Sequence, residues 1–169
     1  MRVVVYFFTG LSGAGKTTIG RLFYRRLKAR KNDVILLDSD LIRPVFCEEI
    51  GYTDEDRLKG AQWVFRLSKM LSDQGIDVIY CGIAMYSEVR QWRRENIENY
   101  KEIYIKVKRE TLFARNQKGL YSVGKNVVGV DLPFDEPQTS DIILENDGAE
   151  TPETIVANLE QSLGLEALE

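Results

Sequence analysis

Short apolar runs alternate with amphipathic stretches along this chain. The apolar runs lie at residues 3–8, 34–37, 76–81, 103–107 and 142–144. Runs of this length are typical of buried strands. Apolar residues recur at helical spacing between them, as at Ile19, Phe23 and Leu27. Strands that alternate with helices predict an α/β fold: a parallel sheet of about five strands with helices on both faces.

The helix ends can also be predicted. Thr53 precedes three acidic residues, which indicates an N-cap. Thr151 precedes a proline, a residue favoured at the first helical position. Further helices are expected at 86–99 and 110–116. Residues 117–138 contain glycines and prolines and show no helical period, so we expect a long functional loop, or lid, there.

The bulk composition narrows the function classes. A chain of 169 residues predicts a single domain over 1–169. The net charge of −3 provides no overall basic field for nucleic acid, and no apolar stretch is long enough to span a membrane. Cys47 and Cys81 form no C-x-x-C motif, so we expect reduced thiols and a cytoplasmic protein. The absence of histidine excludes histidine-based triads and histidine metal sites.

A phosphate-binding motif follows the first strand. The sequence from Gly10 to Thr17 reads G-x-x-x-x-G-K-T and opens a helix-periodic stretch. Backbone N–H groups of such a loop hold phosphate oxygens. Lys16 would reach the β- and γ-phosphates of a nucleoside triphosphate, and Thr17 would offer its hydroxyl to Mg²⁺. The residues of this motif are Gly10, Leu11, Ser12, Gly13, Ala14, Gly15, Lys16 and Thr17.

Two carboxylates follow the second strand, as Asp38-Ser39-Asp40. Ligands in open α/β sheets bind at the carboxyl ends of the strands. We assign Asp38 to the metal, directly or through water, and Asp40 to the base that accepts a proton from an attacking hydroxyl. The two roles can be exchanged. The alternative is a solvated strand-to-helix turn with Asp40 as its cap.

Arginine and lysine supply the candidate anion contacts. Arg43 follows Asp40 by three residues, Arg57 lies in the first turn of a predicted helix, and Arg115 and Lys118 lie at the lid entry. Arginine is suited to bidentate hydrogen bonding with phosphate. The alternative for each of these residues is an ordinary solvent-exposed charge that keeps the protein soluble. Residues 90–94 hold three more arginines and a tryptophan, interleaved with glutamates. We interpret them as a solvated helix with one packed aromatic residue.

The order of motifs resembles the adenylylsulfate kinase family. The matching segments are G-L-S-G-A-G-K-T-T-I, L-D-S-D-L-I-R, G-Y-T-D-E-D-R, K-G-L-Y and G-V-D-x-P-F-D-E-P, which cover almost the whole chain. The resemblance implies a P-loop kinase that transfers the γ-phosphate of ATP to the 3′-hydroxyl of adenosine 5′-phosphosulfate. It also implies a homodimer, which the apolar second face of the 55–72 helix would suit.

Residue by residue, the resemblance implies that ATP is bound by Gly10, Leu11, Ser12, Gly13, Ala14, Gly15, Lys16, Thr17, Thr18 and Arg115, with the phosphates on Gly10 through Thr18 and the donor adenine near Arg115. It makes Asp40 the base or substrate anchor. The residues implied at the acceptor nucleotide are Asp40, Arg43, Tyr52, Arg57, Ile83, Ala84, Lys118, Gly119 and Leu120. The lid would begin at Lys118.

Several acceptor-side positions depart from the family pattern. Ser39 replaces the glycine of Asp-Gly-Asp, Gly60 replaces an asparagine, and Ala84 replaces the serine of Ile-Ser-Pro. Val127 takes the place of a phenylalanine that stacks on the acceptor adenine. The ATP-side features are all present. A related branch of the family phosphorylates cytidine diphosphoramidate in polysaccharide modification, and its smaller pyrimidine base would need less stacking surface.

Three other classes compete with this interpretation. A regulatory GTPase would need an N-K-x-D motif, and Asn116-Gln117-Lys118-Gly119 lacks the aspartate. A non-catalytic nucleotide-binding module would tolerate the loss of Asp40, which is present. Shikimate and gluconate kinases lack the K-G-L-Y lid entry.

Overall fold

Five parallel strands form one sheet in the order β2-β3-β1-β4-β5. The computed structural model describes residues 2–46, 51–84, 86–116, 119–123, 127–130 and 132–165. The strands are β1 (Val5–Thr9), β2 (Val34–Asp38), β3 (Asp77–Cys81), β4 (Tyr100–Lys106) and β5 (Ile142–Glu145). Every residue of β1 is buried, because this strand lies at the centre of the sheet. The predicted α/β architecture is confirmed.

Helices cover both faces of the sheet. They are α1 (Lys16–Arg30), α2 (Ser39–Ile42), α3 (Asp54–Asp73), α4 (Ser87–Asn96), α5 (Arg109–Arg115), α6 (Leu120–Val123) and α7 (Pro152–Ser162). One buried cluster joins the sheet to α1 and α7, through Phe23 and Leu159 among others. A second joins it to α3 and α4, through Phe65 and Val89. Alternate strand residues supply the two clusters, as the two-residue period of a strand requires.

Side-chain caps begin three of these helices. The Thr53 hydroxyl accepts a hydrogen bond from the Asp56 N–H, and the Thr151 hydroxyl accepts one from the Thr154 N–H, both at 3.2 Å. Both predicted N-caps are therefore confirmed. At α2 the cap is Asp38, whose carboxylate accepts a 3.0 Å hydrogen bond from the Asp40 N–H. The alternative in which Asp40 caps this turn is wrong, since Asp40 already lies in the first turn of α2.

The predicted lid carries more local structure than its sequence indicates. It includes the single turn α6 and an isolated bridge between Val128 and Leu132. Side chains from the body of the fold bind its backbone. Arg109 donates a 2.8 Å hydrogen bond to the Gly129 carbonyl, and Arg90 donates a 3.0 Å hydrogen bond to the Asp135 carbonyl.

The interpretation of α4 as a solvated helix is wrong at Arg93. This arginine is completely buried and pairs with the equally buried Glu102 on β4. Its guanidinium carbon lies 4.7 Å from the ring centre of Phe7 and 4.9 Å from that of Phe65. The error arose because a charge pattern along one helix does not show which charge meets a buried partner from another element. Cys47, expected to be a reduced thiol, lies outside the described residues.

Candidate active site

The phosphate loop connects β1 to α1 and depends on two glycines. Gly10 has a φ of +153°, and a Cβ there would lie 2.6 Å from the carbonyl oxygen of Ile105. Gly15 has a φ of +101°, and a Cβ there would lie 2.6 Å from the side-chain nitrogen of Asn146. No other residue type fits either position without a shift of its neighbours. The loop therefore leads directly into the N-terminus of α1, where backbone N–H groups form a suitable anion site.

Side chains from later elements hold this loop in place. Asn146, just after β5, donates a 2.8 Å hydrogen bond from Nδ2 to the Ala14 carbonyl. Arg115 donates to the carbonyls of Gly13 at 3.2 Å and Asn146 at 2.7 Å. The Tyr121 hydroxyl donates to the Ser12 carbonyl at 2.5 Å. Sequence analysis included Tyr121 in the K-G-L-Y motif without assigning it a role, and it missed Asn146, for which the position at the carboxyl end of a strand was the available signal.

Lys16 and Thr17 begin α1 at the edge of the loop. The Lys16 ammonium donates a 2.8 Å hydrogen bond to the Leu11 carbonyl, which keeps its charge over the loop. The Thr17 hydroxyl donates to the Asp38 carboxylate at 2.8 Å. Asp38 is 3 % exposed, and the Arg21 guanidinium lies 4.0 Å from it. Thus a hydroxyl and a carboxylate meet beside the phosphate site, as predicted from their motifs.

These two oxygen donors are compatible with Mg²⁺. Magnesium prefers hard oxygen ligands and is usually held by one or two protein groups together with substrate phosphates and water. Within the described part of the chain, no group of three or more His, Cys, Asp or Glu side chains could form a self-sufficient metal site. Thr17 and Asp38 match the substrate-dependent arrangement.

A cavity of about 470 Å³ opens at the carboxyl edge of the sheet. It joins the phosphate loop to the predicted acceptor side. The predicted residues that line it are Ser12, Gly13, Gly15, Lys16, Thr17, Thr18, Asp38, Asp40, Arg43, Tyr52, Arg57, Ile83 and Ala84. Asp38 is buried, whereas Asp40 is exposed to the cavity. This contrast separates the two carboxylates, with Asp38 facing Thr17 and Asp40 facing the open space.

Other predicted residues lie outside this cavity. Gly10, Leu11 and Ala14 form the buried side of the phosphate loop, and neither Arg115 nor Gly119 is among the described lining residues. Lys118 and the side chain of Leu120 lie outside the described residues. Conversely, the cavity includes side chains that sequence analysis did not assign to it: Ile42, Phe46, Tyr80, Tyr86, Pro133 and Phe134. The last two belong to the predicted lid.

Two arginines and a tyrosine form a cationic wall on the acceptor side. The guanidinium carbon of Arg43 lies 4.4 Å from the centre of the Tyr52 ring, and that of Arg57 lies 5.5 Å from it. The Arg57 Nε donates to the Tyr52 carbonyl at 3.1 Å. Burial, and next the nearby charge of Arg43, lower the pKa of Arg57. An anionic group placed between the two arginines would offset their repulsion.

The segment after β3 forms the opposite wall. Ala84 has a φ of +32°, an uncommon conformation for a residue with a Cβ. Thr9 donates a 2.5 Å hydrogen bond to the Ile83 carbonyl, and Arg93 donates a 3.3 Å one to the Ala84 carbonyl. These two hydrogen bonds hold the backbone of Ile83 and Ala84 in place. Cys81 is buried at the end of β3, and burial raises its pKa to about 12.

Comparison with known proteins identifies the family. The family model described as adenylylsulphate kinase matches residues 2–145. The chain belongs to the adenylylsulfate kinase family. Its members are P-loop kinases, so this protein is a phosphotransferase that uses ATP and acts as a nucleotide kinase.

Relatives and solved structures agree with this placement. The chain is 38 % identical over 147 residues to the cytidine diphosphoramidate kinase of Campylobacter jejuni, covering 84 % of this chain and 85 % of that protein. It is 33 % identical over 159 residues to the adenylyl-sulfate kinase of Picosynechococcus, covering 91 % and 90 %. The APS kinase of Mycobacterium tuberculosis, in complex with AMPPNP and APS, has the same fold, with a TM-score of 0.86, 23 % identity and coverage of 96 % and 98 %.

None of the described helices combines the length and the apolar character that crossing a bilayer requires.

Proposed function

We propose that this kinase transfers the γ-phosphate of ATP to a hydroxyl of a small nucleotide, with Asp40 as the general base. One observation carries the proposal: a single cavity is lined by Lys16 and Thr17 on one side and by Asp40 on the other. Donor phosphates and an acceptor hydroxyl can therefore meet in it without a large rearrangement. Such proximity is a major part of catalysis in phosphoryl transfer.

Each group has a defined task in this reaction. The loop N–H groups and the Lys16 ammonium hold the β- and γ-phosphates and offset their negative charge. Thr17 and Asp38 would hold Mg²⁺, which supplies further charge neutralisation. The acceptor hydroxyl gives its proton to the Asp40 carboxylate as its oxygen bonds to the γ-phosphorus. The bond from that phosphorus to the bridging oxygen breaks, and ADP leaves.

The donor nucleoside is assigned to the region of Arg115. This arginine lies outside the main cavity but bridges the phosphate loop and the turn after β5 through two backbone carbonyls. A planar guanidinium fixed in this way can stack on an adenine ring. The family resemblance supports the same assignment.

Two acceptors are candidates, and local departures from the family pattern favour the cytidine compound over adenylylsulfate. Gly60 lines the cavity where the family has an asparagine, and Val127 lines it where the family has a stacking phenylalanine. Val127 is 4 % exposed and offers no aromatic ring. Loss of a base-stacking ring costs about 1–3 kcal/mol. A pyrimidine loses less stacking surface than adenine does, so we assign cytidine diphosphoramidate as the preferred acceptor and adenylylsulfate as the alternative.

Steady-state kinetics with both acceptors test this assignment. ADP release is measured with saturating ATP and Mg²⁺, with cytidine diphosphoramidate in one series and adenylylsulfate in the other. We expect a higher kcat/KM for the cytidine compound. A higher value for adenylylsulfate would reverse the order of the acceptors and leave the kinase mechanism intact.

We also infer a homodimer, as the family resemblance implies. The outer face of α3 supports it, because Met70 is 50 % exposed and Trp63 and Leu67 beside it are only partly covered. Light scattering at several protein concentrations tests the inference. A mass equal to that of one chain at all concentrations would contradict it.

A further inference from the structure

Tyr80 places a hydroxyl group at the acceptor end of the cavity. Tyr80 and Gly82 are two residues apart, so the Tyr80 side chain and the Cα hydrogen of Gly82 that a side chain would replace lie on the same face of the sheet. A Cβ on Gly82 would lie 2.3 Å from the Tyr80 hydroxyl oxygen and 2.5 Å from Cζ. The tyrosine side chain therefore leans along β3 towards its carboxyl end and covers Gly82. Both the glycine and the tyrosine are needed for this arrangement.

The Tyr80 ring is fixed by its neighbours. It stacks on Phe7 at 5.1 Å with an interplanar angle of 19°, and Phe65 meets it edge-on at 5.3 Å. Only 4 % of the residue is exposed, yet it lines the cavity. A rigid ring that reaches the cavity with its hydroxyl end is preorganised for recognition, because little entropy is lost when it forms a contact.

Ser39 places a second hydroxyl in the lining of the same cavity. The register pairs Asp38 with Cys81, which brings Ser39, the residue after β2, beside the end of β3. The Ser39 hydroxyl donates a 2.8 Å hydrogen bond to the Cys81 carbonyl. The Tyr80 hydroxyl is protonated at neutral pH, as for any tyrosine, and burial raises its pKa further, to about 12, so it can donate.

The hydroxyls of Tyr80 and Ser39 are placed where they could contact a bound acceptor. Ser39 lies between the two carboxylates, and both Ser39 and Tyr80 line the cavity together with Asp40. The neighbouring wall from α3 is formed by Ala61 and Val64, which offer no polar side-chain atom. A polar pair at an apolar wall binds a ligand that satisfies its hydrogen bonds and disfavours one that leaves it unpaired.

We propose that the hydroxyls of Tyr80 and Ser39 bind the acceptor nucleotide and select a cytidine acceptor over adenylylsulfate. The inference deepens the proposed function and rests on it.

Tyr80→Phe and Ser39→Gly test the proposal with little change in shape. Each should lower kcat/KM for cytidine diphosphoramidate by about 3- to 10-fold, the effect of one hydrogen bond, and change that for adenylylsulfate by less than about twofold. The KM for ATP should stay constant. Calorimetry with CDP as the probe should show the same weakening of binding in the Tyr80→Phe protein.

Tyr6→Phe is the matched control. Tyr6 is a buried tyrosine on the neighbouring strand β1, but it packs on Phe23 in the other core and does not line the cavity. The same loss of a hydroxyl there should leave the ratio of the two kcat/KM values unchanged. A drop in the ratio in Tyr80→Phe alone supports a direct role in acceptor selection.

The outcomes separate this inference from the proposed function. An unchanged ratio in Tyr80→Phe, or an equal loss with both acceptors, overturns the inference and leaves the kinase proposal standing. So does a wild-type protein that phosphorylates adenylylsulfate alone. A wild-type protein that phosphorylates neither acceptor contradicts the proposed function itself, and the inference falls with it.

Discussion

The Thr17 hydroxyl donates a 2.8 Å hydrogen bond to the Asp38 carboxylate, and this contact joins the first turn of α1 to the end of β2. The other carboxylate oxygen of Asp38 caps α2 and so fixes the backbone of Asp40. One buried side chain thereby aligns the phosphate loop with the proposed base. The fold itself therefore arranges the proposed metal donors and the proposed base.

Lys16→Ala should reduce kcat by a factor of about 10²–10³ or more, because it removes a fixed positive charge from the transferring phosphoryl group. ADP release with saturating substrates measures the effect. Lys69→Ala is the control, because Lys69 forms an ion pair with Asp73 on the outer face of α3. Near-normal turnover by Lys16→Ala would contradict the role of the phosphate loop.

Asp40→Asn should lower kcat far more than it raises the KM for ATP. The amide keeps the shape of the side chain but cannot accept the hydroxyl proton. Asp38→Asn is the comparison, and its main effect should be a higher Mg²⁺ requirement. If Asp40→Asn instead weakened ATP and Mg²⁺ binding at constant kcat, Asp40 would be the metal ligand and Asp38 the better candidate for the base.

Replacement of Arg93 should destabilise the protein strongly. Arg93→Met removes the guanidinium that pairs directly with the buried Glu102 carboxylate and leaves it the longer 3.8 Å contact with Arg90, which costs about 3–5 kcal/mol. Arg94→Met is the matched control, since Arg94 forms a partly exposed pair with Asp141 and its loss should cost about 1 kcal/mol or less. Urea unfolding gives both values. Equal free energies of unfolding for the two variants would contradict the prediction that the buried Arg93–Glu102 pair matters more to stability than the partly exposed pair.

Stability should fall as the pH rises above about 9. Burial raises the pKa of the Cys81 thiol from 9.0 to about 12, and burial beside Glu136 raises that of Tyr104 from 10.0 to about 12. In the unfolded chain both groups lose their protons near their ordinary pKa, whereas in the folded protein they keep them. Their contribution is complete below pH 9 and is lost between pH 9 and 12.

Urea midpoints measured from about pH 8 to about pH 11 test this dependence. Cys81→Ser should flatten the curve at its lower end, because the serine hydroxyl does not titrate in this range. A curve with the same slope in the wild type and the variant would show that Cys81 is not responsible.

Local patterns were sufficient to predict much of this molecule. The strand–loop–helix context of the phosphate loop, the caps at Thr53 and Thr151 and the polar end of β2 are all short-range features, and the structure contains each of them. The five-strand sheet follows from the alternation of apolar runs and helical periods. Short-range rules therefore account for the strands and helices of the fold and for the phosphate loop.

Features that depend on contacts between distant elements could not be predicted in this way. Asn146 reaches Ala14 across 132 residues, and Tyr121 reaches Ser12 across 109. The position of Ser39 beside the end of β3 depends on the register of β2 and β3, and the burial of Arg93 depends on its contacts with Glu102 and with the rings of Phe7 and Phe65. None of these pairings has a periodic or spacing signal in the sequence.

The most direct test of the central claim is the mass of the acceptor after incubation with ATP and Mg²⁺. We predict that cytidine diphosphoramidate gains one phosphoryl group for each ADP formed, and that Asp40→Asn abolishes most of this gain while ATP still binds. Formation of ADP and inorganic phosphate with an unmodified acceptor, for both cytidine diphosphoramidate and adenylylsulfate, would contradict the account.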